Sequence, residues 1–141
     1  AAQLVSAVDA AGAAHESEET DGWRVAGLNI AGAAARELGR PQEAAAAHLR
    51  ALKLARAMGA TALTARATSG LGRAMAVAED VKFEDAAQVL TDAVKLTAVA
   101  DGKGSAAYGE ALTDLAEHFL GGGDAGDAAA AAGLLRQAVA L

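Results

Sequence analysis

The chain has no cysteine among its 141 residues. This absence excludes a disulfide framework, a thiolate zinc site and a cysteine nucleophile. The sequence also lacks any run of about 18 apolar residues without a charge, so it predicts no segment that spans a membrane.

Aromatic residues and proline are scarce. Aromatic residues make up 3% of the chain and proline occurs once, whereas hydrophobic residues make up 53%. Alanine therefore supplies much of the apolar fraction. Because alanine is the best helix former and is poor in strands, the sequence predicts an all-α fold of closely packed helices.

Basic residues are outnumbered by acidic ones. The chain has 12 lysines and arginines against 18 aspartates and glutamates, which gives a formal net charge of −6. This balance argues against wholesale binding to nucleic acid or to an anionic membrane surface.

The single proline lies two residues after a glycine, between two stretches with a helical pattern. Gly39 suits the left-handed residue that closes a helix, and Pro41 suits the first turn of the next helix, where its missing N–H is no loss. Residues 39–41 are therefore predicted to form a tight turn between antiparallel helices. These helices are predicted at about 22–38, with Thr20 or Asp21 as the N-cap, and at about 41–58, ended by Gly59.

One short pattern recurs along the chain. The segments SAVDAA, RALKLA, DAVKLT and QAVAL align at alanines that are 42 to 45 residues apart, namely Ala7, Ala51, Ala93 and Ala138. A matching piece precedes each of the last three copies. A period a little above forty that contains two helices is typical of a helical solenoid.

These residues resemble the tetratricopeptide repeat family, which has a small residue where two helices cross, a glycine at the turn and alanines on the second helix. The first full repeat matches at Leu28, Ala31, Gly32, Gly39, Ala44 and Ala51. The resemblance implies a right-handed α-solenoid of antiparallel helix pairs. Its longer period, 42 residues between the second and third copies, is similar to the kinesin-light-chain-like variety.

The repeat spacing divides the chain into the second helix of a preceding repeat at 1–14 and three repeats at 21–59, 61–100 and 105–141. In the second repeat Gly72 takes the place of Gly32, and the segment AVAEDVKF carries two extra residues and no turn glycine. Predicted N-caps for the later helices are Thr61, Ser105, and either Asp124 or Asp127. We expect a segment of a longer protein, with further repeats or neighbouring subunits at both ends, because the chain starts without methionine and stops inside a helical pattern.

The resemblance also implies a binding groove. In this family the first helix of each repeat faces the concave side, which usually binds an extended peptide or a partner helix. Five residues are placed near that groove in this chain: Asn29, Arg36, Arg66, Ser69 and Arg73. Guanidinium groups pair with carboxylates, so this patch favours a peptide that bears a carboxylate. The alternative is an ordinary solvated helix face.

The third repeat changes the sign of the predicted groove. Its corresponding residues are Glu110, Thr113 and Glu117. The chain does not reproduce the family's carboxylate-clamp pattern of lysine and asparagine, which argues against binding of chaperone tails.

Two histidine pairs have the spacing of adjacent metal ligands on a helix. They are His15 with Glu19 and Asp114 with His118, but neither has a third partner nearby in sequence, so no metal site is predicted. His48 is predicted to be a partly buried spacer between helices.

Several other segments have a structural interpretation. The charge run HESEETD at 15–21 is predicted to be a solvated loop between repeats, or else a contact for a basic partner. Trp23 is predicted to pack against the 1–14 helix, the alternative being exposure in the groove. The glycine-containing segments at 101–105 and 121–126 are interpreted as turns and caps, not as phosphate-binding loops.

The sequence thus favours a non-enzymatic protein-interaction scaffold that needs no cofactor. Its expected partner is a protein or peptide, for which the basic patch favours acidic character, and its expected location is cytoplasmic or cytoskeleton-associated. The alternative function is the sensor or effector region of a multidomain signalling protein or transcriptional regulator.

Overall fold

The computed structural model describes the backbone of residues 2–122 and 124–140, and the side chains of residues 19–122 and 124–140. Its described regular structure is entirely helical, which confirms the predicted all-α class. The six helices are α1 (Ala2–Glu37), α2 (Pro41–Ala57), α3 (Thr61–Val77), α4 (Phe83–Asp101), α5 (Ala106–Gly122) and α6 (Ala125–Val139).

The turn between α1 and α2 has the geometry that its glycine and proline predict. Gly39 has a φ of 73°, and its N–H donates to the carbonyl of Arg36, while the N–H of Arg40 reaches back to the carbonyl of Ala35. This pair of hydrogen bonds is a Schellman motif, which satisfies carbonyls at the end of a helix. Pro41 then begins α2.

The turn between α2 and α3 repeats this motif one helix later. Gly59 has a φ of 67°, and the N–H groups of Gly59 and Ala60 donate to the carbonyls of Arg56 and Ala55. Because both connections are only three residues long, α1, α2 and α3 pack as antiparallel neighbours.

The connection between α3 and α4 is longer and lacks a glycine, as the sequence indicates. Residues 78–82 include no residue with a positive φ, and Ala78 and Lys82 have extended backbones at its two ends. The helix α3 therefore ends by switching to extended backbone instead of closing through a left-handed residue.

The first helix differs from the prediction. Residues 15–21 are helical, so the predicted loop is wrong, and Thr20 and Asp21 lie inside α1 instead of capping a new helix. The physical reason is that this stretch of charged residues contains neither glycine nor proline, and glutamate is a good helix former. A run of like charges does not by itself end a helix.

The predicted N-caps have mixed outcomes. The hydroxyl of Ser105 accepts a hydrogen bond from the N–H of Tyr108 at 3.1 Å, and Asp124 accepts one from the N–H of Asp127 at 2.8 Å. Both are capping interactions at the start of a helix. Thr61 is not a cap, because it is the first residue of α3 and Ala60 occupies the cap position.

Consecutive helices pack on one another and form two layers. The helix α3 contacts α1 and α5, whereas α2, α4 and α6 make no contact with one another in the part of the chain that the structure describes. The odd-numbered helices therefore lie closer together than the even-numbered ones. This packing is consistent with a helical repeat.

The core is built mainly from alanine. The buried apolar residues include Ala44, Ala51, Ala55, Ala67, Ala74 and Ala116, with Val25, Leu90 and Leu112 as the largest fully buried side chains. Because alanine projects only a methyl group, the helix backbones approach closely, and the glycines at the crossing points allow one bulky residue to fill each gap.

Candidate functional site

The centre of the site is a histidine held between two glycines. The ring of His48 on α2 lies between Gly32 of α1 and Gly70 of α3, so close that a methyl group on either glycine would overlap it. His48 is 5% exposed, which confirms its predicted role as a spacer between helices. In the second helix pair Leu90 packs in the same way on Gly72. The repeated contact agrees with the predicted equivalence of Gly32 and Gly72.

His48 also positions a residue of the predicted groove. Its Nδ1 lies 3.0 Å from Oδ1 of Asn29, and because that oxygen is an acceptor, the neutral ring donates this hydrogen bond. Burial lowers the pKa of His48, and the guanidiniums of Arg36 and Arg73 lower it further. The ring is therefore neutral near pH 7. Its hydrogen bond to the side-chain oxygen fixes the Asn29 amide, and the amide nitrogen remains available to donate a hydrogen bond to a ligand.

A cavity of about 300 Å³ lies above this histidine, between α1 and α3. It brings together four of the five residues that the sequence places near a groove, Asn29 and Arg36 from α1 with Arg66 and Arg73 from α3. The remaining lining residues are mostly apolar or small: Ala26, Ile30, Ala33, His48, Leu63 and Gly70.

The fifth predicted residue, Ser69, lies in a different place. It lines a smaller cavity on the other flank of α3, whose lining also includes Arg66, Arg73 and the acidic residues Asp101 and Glu110, without an ion pair to Arg66. The two arginines therefore border both cavities, whereas Ser69 is absent from the one over His48.

The three arginines of the cavity over His48 differ in their partners. Nε of Arg73 donates to Oδ2 of Asp114 at 2.6 Å, and its NH2 group lies 3.9 Å from Glu110. Arg36 makes an exposed ion pair with its neighbour Glu37 at 3.3 Å. Arg66 is exposed and makes no hydrogen bond or ion pair with the described residues.

The candidate site continues toward α5, where acidic residues join the arginines in the lining. A second cavity of about 300 Å³ shares Arg36 and Arg73 with the first and adds Asp114, Glu117 and His118 from α5. Of the three residues predicted to change the sign of the groove, Glu117 lines this cavity, where two carboxylates and two arginines share the lining. Glu110 and Thr113 line another cavity, together with Arg73.

The pairing of Arg73 with Asp114 is the feature that sequence reasoning missed. The two residues are 41 apart in the chain. That separation is close to the repeat period, so a comparison of charges one period apart contains the signal. Ile30 and Leu63, the largest apolar side chains at the cavity, were likewise not singled out from the sequence.

The histidine pairs do not assemble a metal site in the described part of the chain. His118 places Nε2 at 2.9 Å from the carbonyl oxygen of Phe83 and stacks on the ring of Phe83 at 4.2 Å. Asp114 is held by Arg73. No group of three possible ligands occurs among the described residues, and His15 lies outside the described side chains.

Trp23 is exposed, contrary to the prediction that it packs against the 1–14 helix. Its side chain is 72% exposed. Because α1 runs without interruption through residues 15–21, the described part of the chain before Trp23 continues the same helix and does not fold back over this side chain. Trp23 lies seven residues before Ile30, so the two share the helix face that borders the cavity.

The two glycine-containing segments are helix ends. Gly102 closes α4 with a φ of 88°, and Ser105 caps α5. In the second segment, Gly121 and Gly122 end α5 and Asp124 caps α6.

No protein-family model matches this chain, and neither does any curated protein sequence. Within the described residues, no helix combines the length and apolar character needed to cross a membrane.

Proposed function

We propose that the chain is a segment of a right-handed, tetratricopeptide-like solenoid that serves as a protein-interaction scaffold. It binds an extended peptide or a helix of its partner in the groove that runs along α1, α3 and α5. The observation that supports this function is the cavity over His48, where residues from two successive helix pairs converge.

The lining of the groove suits a peptide. Ile30 and Leu63 offer apolar surface, and Ile30 is largely exposed although it borders a cavity. The amide nitrogen of Asn29 can donate to a backbone carbonyl of the ligand, because His48 occupies the amide oxygen. Apolar surface combined with a few fixed polar groups is the usual composition of a binding site.

The groove extends over more than one cavity. Arg36 and Arg73 border both the cavity over His48 and the second cavity beside α5. A ligand in an extended conformation advances about 3.3 Å per residue, so a segment of several residues fits this length better than a small molecule does.

A library of random 12-residue peptides displayed on phage tests this function. The peptides are selected on the wild-type chain and on two variants, Ala33→Trp and Ala34→Trp. Both alanines are exposed on α1, but only Ala33 lines the cavity over His48. The tryptophan at 33 fills the groove, whereas the tryptophan at 34 adds the same side chain outside the cavity.

We expect the wild type and Ala34→Trp to enrich the same peptides and Ala33→Trp to lose them, with all three proteins equally helical by circular dichroism. If no peptide is enriched, or if Ala33→Trp retains the same peptides, the groove is not a peptide-binding site.

A further inference from the structure

The cavity over His48 has an unusual charge for this protein. Three guanidiniums border it, and its described lining contains no carboxylate. The chain as a whole has a net charge of −6, so this group of guanidiniums is opposite in sign to the net charge of the protein. An acidic ligand is therefore attracted to this cavity in preference to the remaining surface.

The three guanidiniums are not equally available. Arg73 is committed to Asp114 at 2.6 Å, and Arg36 shares its charge with the adjacent Glu37. Arg66 has no acidic partner among the described residues. An incoming carboxylate can pair with Arg66 without breaking an existing ion pair.

We propose that the groove selects an acidic side chain, glutamate or aspartate, within the partner segment, and that Arg66 is the residue that recognises it. This inference rests on the proposed function, because it concerns the ligand of the same groove. The guanidinium of Arg66 binds the carboxylate through charge-assisted hydrogen bonds.

The shape of the groove favours an internal acidic residue over a chain terminus. The cavity over His48 and the cavity beside α5 are neighbours, because Arg36 and Arg73 line both of them. A partner segment can therefore pass along the groove with residues on both sides of the carboxylate. Ile30 and Leu63 border the same cavity as Arg66, so an apolar residue is expected beside the acidic one.

The peptide selection is repeated with three charge variants. Arg66→Gln removes the charge, Arg66→Glu reverses it, and Arg50→Glu is the matched control. Arg50 is an exposed residue in the middle of α2, and it lines none of the cavities around α3. An enriched peptide is then synthesised in four forms, with glutamate or glutamine at the acidic position and with a free or amidated carboxyl terminus.

We expect the wild type and Arg50→Glu to enrich peptides with an acidic residue at one position. Arg66→Gln should lose that preference, and Arg66→Glu should replace it with lysine or arginine. Replacing glutamate by glutamine should weaken binding to the wild type about tenfold, which is typical for loss of one charge-assisted hydrogen bond, and amidation should have no effect.

Two results overturn the inference while leaving the proposed function intact. The first is enrichment of peptides that depend on Ala33 but lack an acidic preference, or keep it unchanged in Arg66→Gln. The second is loss of binding on amidation, which would assign the site to a carboxyl terminus. Loss of all groove-dependent peptides would instead contradict both proposals.

Discussion

Nε of Arg73 on α3 donates a hydrogen bond of 2.6 Å to Oδ2 of Asp114 on α5. This pair lies between the cavity over His48 and the cavity beside α5, because Arg73 lines both cavities and Asp114 lines the second. It neutralises one of the guanidiniums of the proposed ligand site and links α3 to α5, which otherwise meet over a small area.

Removing the charge of Asp114 should destabilise the chain. Asp114 is 21% exposed, so Asp114→Asn should lower the free energy of unfolding by about 1 to 2 kcal/mol, as expected for a charge-assisted hydrogen bond. The control is Glu110→Gln, because Glu110 is 70% exposed and lies 3.9 Å from the same arginine. Its effect should stay below about 0.5 kcal/mol. Equal effects in urea unfolding would contradict this account of the pair.

The glycine beside His48 provides a second prediction. In Gly70→Ala the new methyl group overlaps the buried ring, and the free energy of unfolding should fall by about 1 to 3 kcal/mol. Gly27→Ala is the matched control, because Gly27 is also helical but has no atom near its added methyl group. It should be neutral or stabilising by up to about 1 kcal/mol. Equal effects of the two substitutions in thermal unfolding would show that the ring of His48 does not pack tightly on Gly70.

His48 makes the stability depend on pH. Its pKa in the folded chain is lower than its ordinary value of 6.5, so the unfolded chain binds the proton more tightly. The stabilising contribution is therefore complete above about pH 6.5 and is lost as the pH falls toward the lower, folded-state pKa. Two causes lower this pKa, namely the burial of the ring and the positive charges of Arg36 and Arg73.

The variant His48→Leu isolates this effect, because Leu90 fills the corresponding gap above Gly72. Unfolding free energies at pH 8 and pH 5 should differ more in the wild type than in His48→Leu, while other titrating groups contribute equally to both. The same pH dependence in the two proteins would show that His48 is not the group responsible.

Trp23 offers an optical probe of the groove. It is the only tryptophan in the chain and is largely exposed. Its fluorescence should therefore be readily quenched by acrylamide, and binding of a selected peptide along Ile30 should reduce that quenching. Protection from acrylamide in the free protein would contradict the exposed position and favour the predicted packing against residues 1–14.

Features that depend on neighbouring residues were predictable from the sequence. The turn at 39–41 follows from the preference of glycine for the left-handed region and of proline for the first turn of a helix. The spacer role of His48 was implied by the resemblance to the repeat family, in which this position is packed between helices. The proximity of Asn29, Arg36, Arg66 and Arg73 was implied by the same resemblance, whereas the fifth residue of that prediction, Ser69, lines a different cavity.

Features that depend on distant partners were less accessible. Whether Arg73 is free or paired depends on Asp114, 41 residues later, and local patterns carry no charge information over that distance. The error at residues 15–21 has another cause, because a charged segment is compatible with both a loop and an exposed helix. The wrong prediction that Trp23 is buried followed from that same error.

A double-mutant cycle between ligand and protein measures directly whether Arg66 recognises an acidic residue of the ligand. A peptide enriched by the wild type is measured by calorimetry with glutamate or glutamine at its acidic position, against the wild type and Arg66→Gln. We expect a coupling energy of about 1 kcal/mol or more between the ligand carboxylate and Arg66. Additive effects of the two changes would contradict recognition of an acidic residue by Arg66.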